Sequence, residues 1–300
     1  FKKAIQRYLK KHQYKNVETD DFLNEIKRVS NFDTKKFKKS WLESKGFNND
    51  EAMTLLKKNN FISELFTIQS YRNKSFLEKQ QLFIDVMKSD AYFPIKVEIL
   101  NQVKKISFED KKELIAIAMQ TNDVMVRNSV AQTLDSFPES FKTEYESLLE
   151  DPSYETKVIA LENLCQNFPE QCSNYLLNIK ETSQKNEALR IAYLQFALAD
   201  SSIDNAEKEK LYTELISFTS NRFDSATRQQ AMEVVMQLNV NDTIFLENLM
   251  NATTHYKWRF SQYAKEKLKN LLKNETTKSQ ILQLENSLPE NEKLQLKRLL

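Results

Sequence analysis

Three stretches decide how this chain reads: Lys96-Val-Glu-Ile-Leu100-Asn-Gln-Val103, Arg127-Asn-Ser-Val-Ala131-Gln-Thr-Leu134 and Lys157-Val-Ile-Ala-Leu161-Glu-Asn-Leu164. Each opens on a basic residue and places apolar side chains three or four and seven positions later, which on a helix forms one continuous stripe. The pattern recurs at Arg190, with Tyr193, Leu194 and Ala197, and at Arg228, with Ala231, Met232 and Val235. A sixth basic residue, Arg259, follows 31 positions after Arg228, but Gln262 and Glu266 stand where its stripe belongs. Polar residues there predict a terminal repeat whose outer side faces water.

Second helical stretches lie between these, at roughly 109–119, 139–149, 171–182, 205–219 and 242–251, so each repeat is a helix pair. Phe137-Pro138-Glu139 and Phe168-Pro169-Glu170 mark the same point in two repeats. Proline at a first helical position gives up no hydrogen bond, because that N–H has no intrahelical partner. The expected fold is all-α, a HEAT-like right-handed array of antiparallel helix pairs forming an α-α superhelix. Its period, near 31 residues, is shorter than the roughly 40 to 47 usual for HEAT and armadillo units.

Composition supports an all-helical chain and narrows its chemistry. Among 300 residues there is one glycine, Gly46, and there are five prolines. Rossmann folds, P-loops and tight hairpins need glycine where backbone bends sharply or approaches a phosphate, so these are excluded. With His12, His255, Cys165 and Cys172 as its entire histidine and cysteine content, the chain spells no closed zinc motif. Forty-four basic residues against forty-two acidic ones leave a formal +2, interspersed along the chain. That predicts no nucleic-acid partner. Lys35, Lys36, Lys38 and Lys39 read as solvated helix surface. No apolar run reaches the roughly 18 residues of a membrane span. The first residue, Phe1, is not methionine, and the expectation is a fragment of a longer protein, its compartment left open.

Two readings attach to the recurrent basic positions. In one they form a structural ladder with acids of the preceding turn, as in Asp123–Arg127 and Asp224–Arg228. In the other, Arg127, Arg190, Arg228 and Arg259 are candidate contacts for a peptide carboxylate, which a guanidinium grips bidentately. Cys165 and Cys172 read as two small buried hydrophobes, with a disulfide as the alternative in an oxidising compartment. The carboxylate pairs Asp20/Asp21 and Glu207/Glu209 have no partner base, and a self-contained hydrolase is disfavoured.

Residues 1–46 depart from the repeat and read as three helices, about 1–12, 20–30 and 34–44, with Gly46 closing the last at C′. Thr19 or Asp20 is expected to cap the second and Asp33 or Thr34 the third. The order Tyr8-Leu9, His12-Gln-Tyr14-Lys-Asn16, Asp20-Asp21-Phe22, then Phe37 and Trp41, resembles the gluzincin aminopeptidases of aminopeptidase N type. The likeness covers about the first 46 residues at motif level and the remainder by architecture. After the tryptophan many relatives carry Gly-x-Pro and a β-sandwich, whereas Gly46-Phe47-Asn48-Asn49-Asp50 runs into a further helical stretch, so no β-sandwich is expected.

The resemblance implies that residues 1–60 span the end of a catalytic domain and the start of a helical one, and that 61–300 are the helical repeat domain. It implies a non-catalytic carboxy-terminal part of a zinc aminopeptidase that closes the cleft and shapes the peptide chamber. No catalytic or metal residue is assigned here, because the sequence lacks His-Glu-x-x-His and Gly-x-Met-Glu-Asn. Zinc belongs to the presumed full-length enzyme, and the implied partners are the upstream catalytic domain and the peptide substrate. The competing reading is a free-standing HEAT-like scaffold that binds a partner protein.

Overall fold

A computed structural model describes all of residues 1–300 and contains helices, turns and no strand. Its nineteen α-helices fall into two compact units, Phe1–Tyr71 and Arg72–Leu300. No helix is long and apolar enough to cross a membrane.

The first unit contains α1 (Lys2–His12), α2 (Thr19–Val29), α3 (Thr34–Phe37), α4 (Asn49–Leu56) and α5 (Asn60–Ser70). The unit boundary at Tyr71 therefore puts α5 with the amino-terminal helices, beyond the expected break at residue 60. Helices α1 and α2 pack closely, and Phe22 meets Phe1 and Tyr8 edge-on, with ring centroids 6.4 and 5.2 Å apart. Glu25 is completely buried between them and accepts from Lys11 Nζ at 3.1 Å, Arg7 Nε at 3.2 Å and Arg28 Nη1 at 2.9 Å. The Lys11 hydrogen bond, with help from Arg7 and Arg28, holds the Glu25 carboxyl below the usual carboxylate range despite its burial.

Local detail in this unit departs from expectation at several points. The cap of α2 is Glu18, whose N–H donates to Asp21 Oδ2 at 3.0 Å in a capping box, so neither Thr19 nor Asp20 serves. Asp33 does cap α3, accepting from the Lys36 N–H at 3.0 Å. Helix α3 continues as a π turn over Lys38–Leu42, and Gly46 lies beyond it without a positive φ. The left-handed residue is Tyr14, with φ 59°, in the turn after α1. Phe37 and Trp41 pair with Phe32 at 5.6 Å and Phe47 at 5.8 Å.

The second unit is the array. Its helices are α6 (Phe76–Lys88), α7 (Phe93–Val103), α8 (Phe108–Met119), α9 (Val124–Thr133), α10 (Lys142–Glu146), α11 (Tyr154–Asn167) and α12 (Cys172–Ser183). They continue through α13 (Glu187–Ala199), α14 (Asn205–Phe218), α15 (Ser225–Leu238), α16 (Thr243–Ala252), α17 (Trp258–Leu271), α18 (Glu275–Leu284) and α19 (Glu290–Leu299). Helices α7, α9, α11, α13 and α15 contact one another in succession and form one row; α8, α12, α14 and α16 each pack on the next helix in sequence. The predicted stripe is the core of this row: Ile99, Leu100, Val103, Val130, Ala131, Leu134, Ala160, Leu161 and Leu164 are all at most 1% exposed. Close succession in the row ends at α15, and α18 and α19 pack against α16.

Both Phe-Pro-Glu stretches lead into short 3-10 turns, but Pro169 holds the expected first helical position of Pro169–Gln171 while Pro138 precedes Glu139–Phe141 as its N-cap. The Phe137 and Phe168 rings lie 5.7 Å apart. Short 3-10 turns, Glu139–Phe141 and Ser147–Glu150, flank α10 and break the helix expected over 139–149. Cys165 in the last turn of α11 and Cys172 at the start of α12 are joined as a disulfide, with Cα atoms 4.7 Å apart. The favoured reading of two separate thiols therefore gives way to the bridge, because the turn through Phe168-Pro169 folds the two helix ends together.

Candidate functional site

Five of the six recurrent basic residues, Lys96, Arg127, Lys157, Arg190 and Arg228, occupy the fourth position of their helix. Each reaches back to the end of the segment before it. Lys96 Nζ donates to Ser89 O at 2.7 Å, Lys157 Nζ to Leu149 O at 2.8 Å, and Arg228 Nε to Thr219 O at 2.9 Å. Arg127 Nη1 donates to Thr121 O, and Arg190 Nη1 to the Ser183 hydroxyl at 3.3 Å. The last carbonyls of a helix lack intrahelical partners and carry the negative end of its dipole, so a cation placed there satisfies both needs.

The remaining donors of these arginines are held by later elements. Arg127 pairs with Asp151, which is almost fully buried. Arg190 grips both oxygens of Glu214, at 2.7 and 2.6 Å, and stacks on the Tyr193 ring at 4.6 Å. Arg228, 1% exposed, also donates to Asn248 O and Asn251 Oδ1, each at 3.1 Å, and lies 5.2 Å from the Phe260 ring centre. Asn251 in turn donates to the buried Glu292 of α19 at 2.9 Å. The ladder acids considered from sequence, Asp123 and Asp224, cap α9 and α15 through backbone N–H groups instead.

At α17 the pattern shifts by two residues. Ser261 holds the fourth position, and its hydroxyl donates to Thr253 O at 2.6 Å, the bond that a basic side chain makes elsewhere. Counted from Ser261, Ala264 and Leu268 are completely buried and continue the stripe. The expected polar terminal repeat is thus a register error: Gln262 and Glu266 are exposed because they lie on the other face.

Arg259 therefore has a different setting from its three counterparts. It is exposed, and its guanidinium makes no hydrogen bond or ion pair. With Lys257, Trp258, Ser225 and Gln229 it lines a cleft of about 440 Å³ between the starts of α15 and α17, with the buried Phe260 among its walls. Trp258 is 68% exposed and the neighbouring Tyr256 85%. Lys257 is steadied by Ser225, whose Oγ accepts from its Nζ at 3.0 Å. His255 organises the turn: Nδ1 accepts from the Lys257 N–H at 3.1 Å, while the ring stacks on Tyr256 at 4.3 Å and meets Phe260 edge-on at 5.1 Å. Burial, then the charges of Arg228 and Lys257, push the His255 imidazole below its ordinary pKa. Sequence reasoning singled out Arg259 but passed over the aromatic partners, although the alternation Tyr256-Lys257-Trp258-Arg259 was there to be read.

Two smaller clefts meet at Ser173, whose hydroxyl donates to Asp200 at 2.6 Å, and one of them is walled by Cys165 and Cys172. The Ser173 hydrogen bond and the Ser202 N–H hold the Asp200 carboxyl below its ordinary range, which makes it a weak base for that hydroxyl.

Fold and site together define an all-helical array of pairs with an aromatic and cationic cleft near its carboxyl end. No family model, characterised protein or solved structure matches the chain.

Proposed function

We propose that this chain is the non-catalytic, carboxy-terminal helical part of a zinc aminopeptidase of gluzincin type, closing the active-site cleft and shaping the chamber that holds the peptide. The observation that carries the reading is the amino-terminal order Tyr8, Tyr14-Lys-Asn16, Asp20-Asp21-Phe22, Trp41. Its support in the fold is that these residues fall on helix, turn, helix and the π turn that extends α3, in that order, with Tyr14 left-handed. On this reading the zinc ligands lie upstream of Phe1, and the chain itself contributes surface and shape to substrate binding.

The test is the coding sequence upstream of Phe1 together with the activity of the longest product. A His-Glu-x-x-His helix and chelator-sensitive hydrolysis of aminoacyl-anilides by that product, with none by residues 1–300, are expected. A reading frame that opens near Phe1 overturns the proposal and leaves a free-standing scaffold.

A further inference from the structure

Of the four arginines that are candidates for a carboxylate, three are occupied by the chain's own carbonyls, amides and carboxylates. Arg259 alone among them is exposed with all its donors unengaged. It shares a cleft with an exposed indole, a second cation and no acidic lining residue. Just outside, Glu233 accepts from Gln229 Nε2 at 3.1 Å, and Asp224 feels the charge of Lys257. Acids at the rim repel an extended polyanion, while the cleft itself suits one negative group set beside an apolar or aromatic one. Exposed tryptophan, tyrosine and arginine are also the residues that most often carry binding energy at recognition surfaces.

We propose that this cleft binds the carboxyl-terminal residue of a peptide, with Arg259 and Lys257 taking the carboxylate and Trp258 the terminal side chain. The assignment rests on the peptidase reading for the source of the ligand, but its chemistry stands on the cleft alone. Guanidinium and carboxylate match as a bidentate pair, and the neighbouring ring offers the apolar contact that sets preference for a bulky last residue.

The chain has two tryptophans, Trp41 and Trp258, so a Trp41→Phe background makes emission report on the cleft. In that background, residues 1–300 are titrated with a short neutral peptide ending in phenylalanine, its carboxyl-terminal amide, and N-acetylphenylalanine. Saturable quenching by the free-acid peptide is expected, with affinity about tenfold or more weaker for the amide and for Arg259→Ala, and partial recovery in Arg259→Lys. Raising ionic strength should weaken the acid selectively. Equal binding of acid and amide, or an unchanged affinity in Arg259→Ala, overturns the site. N-acetylphenylalanine binding as tightly as the peptide overturns the peptide assignment in favour of small aromatic acids. Binding by a chain whose gene lacks His-Glu-x-x-His defeats only the peptidase reading, and absent binding in a chain from a proven aminopeptidase defeats only this one.

Discussion

Arg228 is buried and donates from Nε to the carbonyl oxygen of Thr219 at 2.9 Å, the residue that ends the preceding helix. The same guanidinium reaches Asn248 and Asn251, so one charge satisfies three acceptors on two neighbouring helices. Burial lowers its pKa, opposed by Glu292. Arg228→Met should remove these bonds and destabilise the unit by about 3 kcal/mol or more, because buried acceptors are left unpaired. Arg259→Ala, by contrast, should stay within about 0.5 kcal/mol. Urea denaturation of the two variants checks the contrast, and similar losses in both would contradict the division between structural and exposed arginines.

Leu134 and Leu161 lie in the core stripe, at 1% and 0% exposure. Truncation of either to alanine should cost about 2 to 5 kcal/mol. The shifted register at α17 sharpens the test: Leu268→Ala should cost a comparable amount, while Gln262→Ala should be close to neutral. Equal, small effects at 262 and 268 would return the helix to the register read from sequence.

The disulfide closes an eight-residue loop from Cys165 to Cys172. By the chain-entropy relation this contributes about 2 to 3 kcal/mol. The Cys165→Ala/Cys172→Ala double variant should lose that stability and become insensitive to reductant, whereas the unmodified chain should lose it only on reduction. Thiol titration of the denatured, non-reduced protein should find no free cysteine. Two free thiols in protein recovered from an oxidising compartment would refute the bridge.

His255 has a depressed pKa in the folded state, so between its folded value and 6.5 the unfolded chain binds more protons. Stability from the neutral imidazole is therefore complete above about pH 6.5 and falls as pH drops below it. Thermal melts of the unmodified chain and His255→Gln over the mildly acidic range should converge as pH falls. A difference that stays constant with pH would show that the ring's titration does not matter to the fold.

Much of the array is legible in the sequence. The positions of α7, α9, α11, α13 and α15 follow from apolar spacing, and the structure buries those stripes. Helix periodicity is a local property, visible in any window of eleven or more residues. The amino-terminal caps were less legible, since Glu18 caps α2 in place of its better-known neighbours Thr19 and Asp20. Several residues there can supply the oxygen, and the backbone entering the turn selects among them.

The sequence by itself determined that this chain is helical, repeats in pairs and hides one stripe per pair, because those features depend on residues three to seven positions apart. Tertiary structure decided which basic side chains are internal and which are free. Arg127 and Arg259 are the same residue type near the same point of a helix, yet one is held by Asp151 from the next loop and the other stands in an open cleft. It also decided the register of α17, where Ser261 takes the place of a cation, and the bond between Cys165 and Cys172. In each case the deciding group lies in another element, and its distance depends on how one helix is rotated against the next, a quantity that no local pattern encodes.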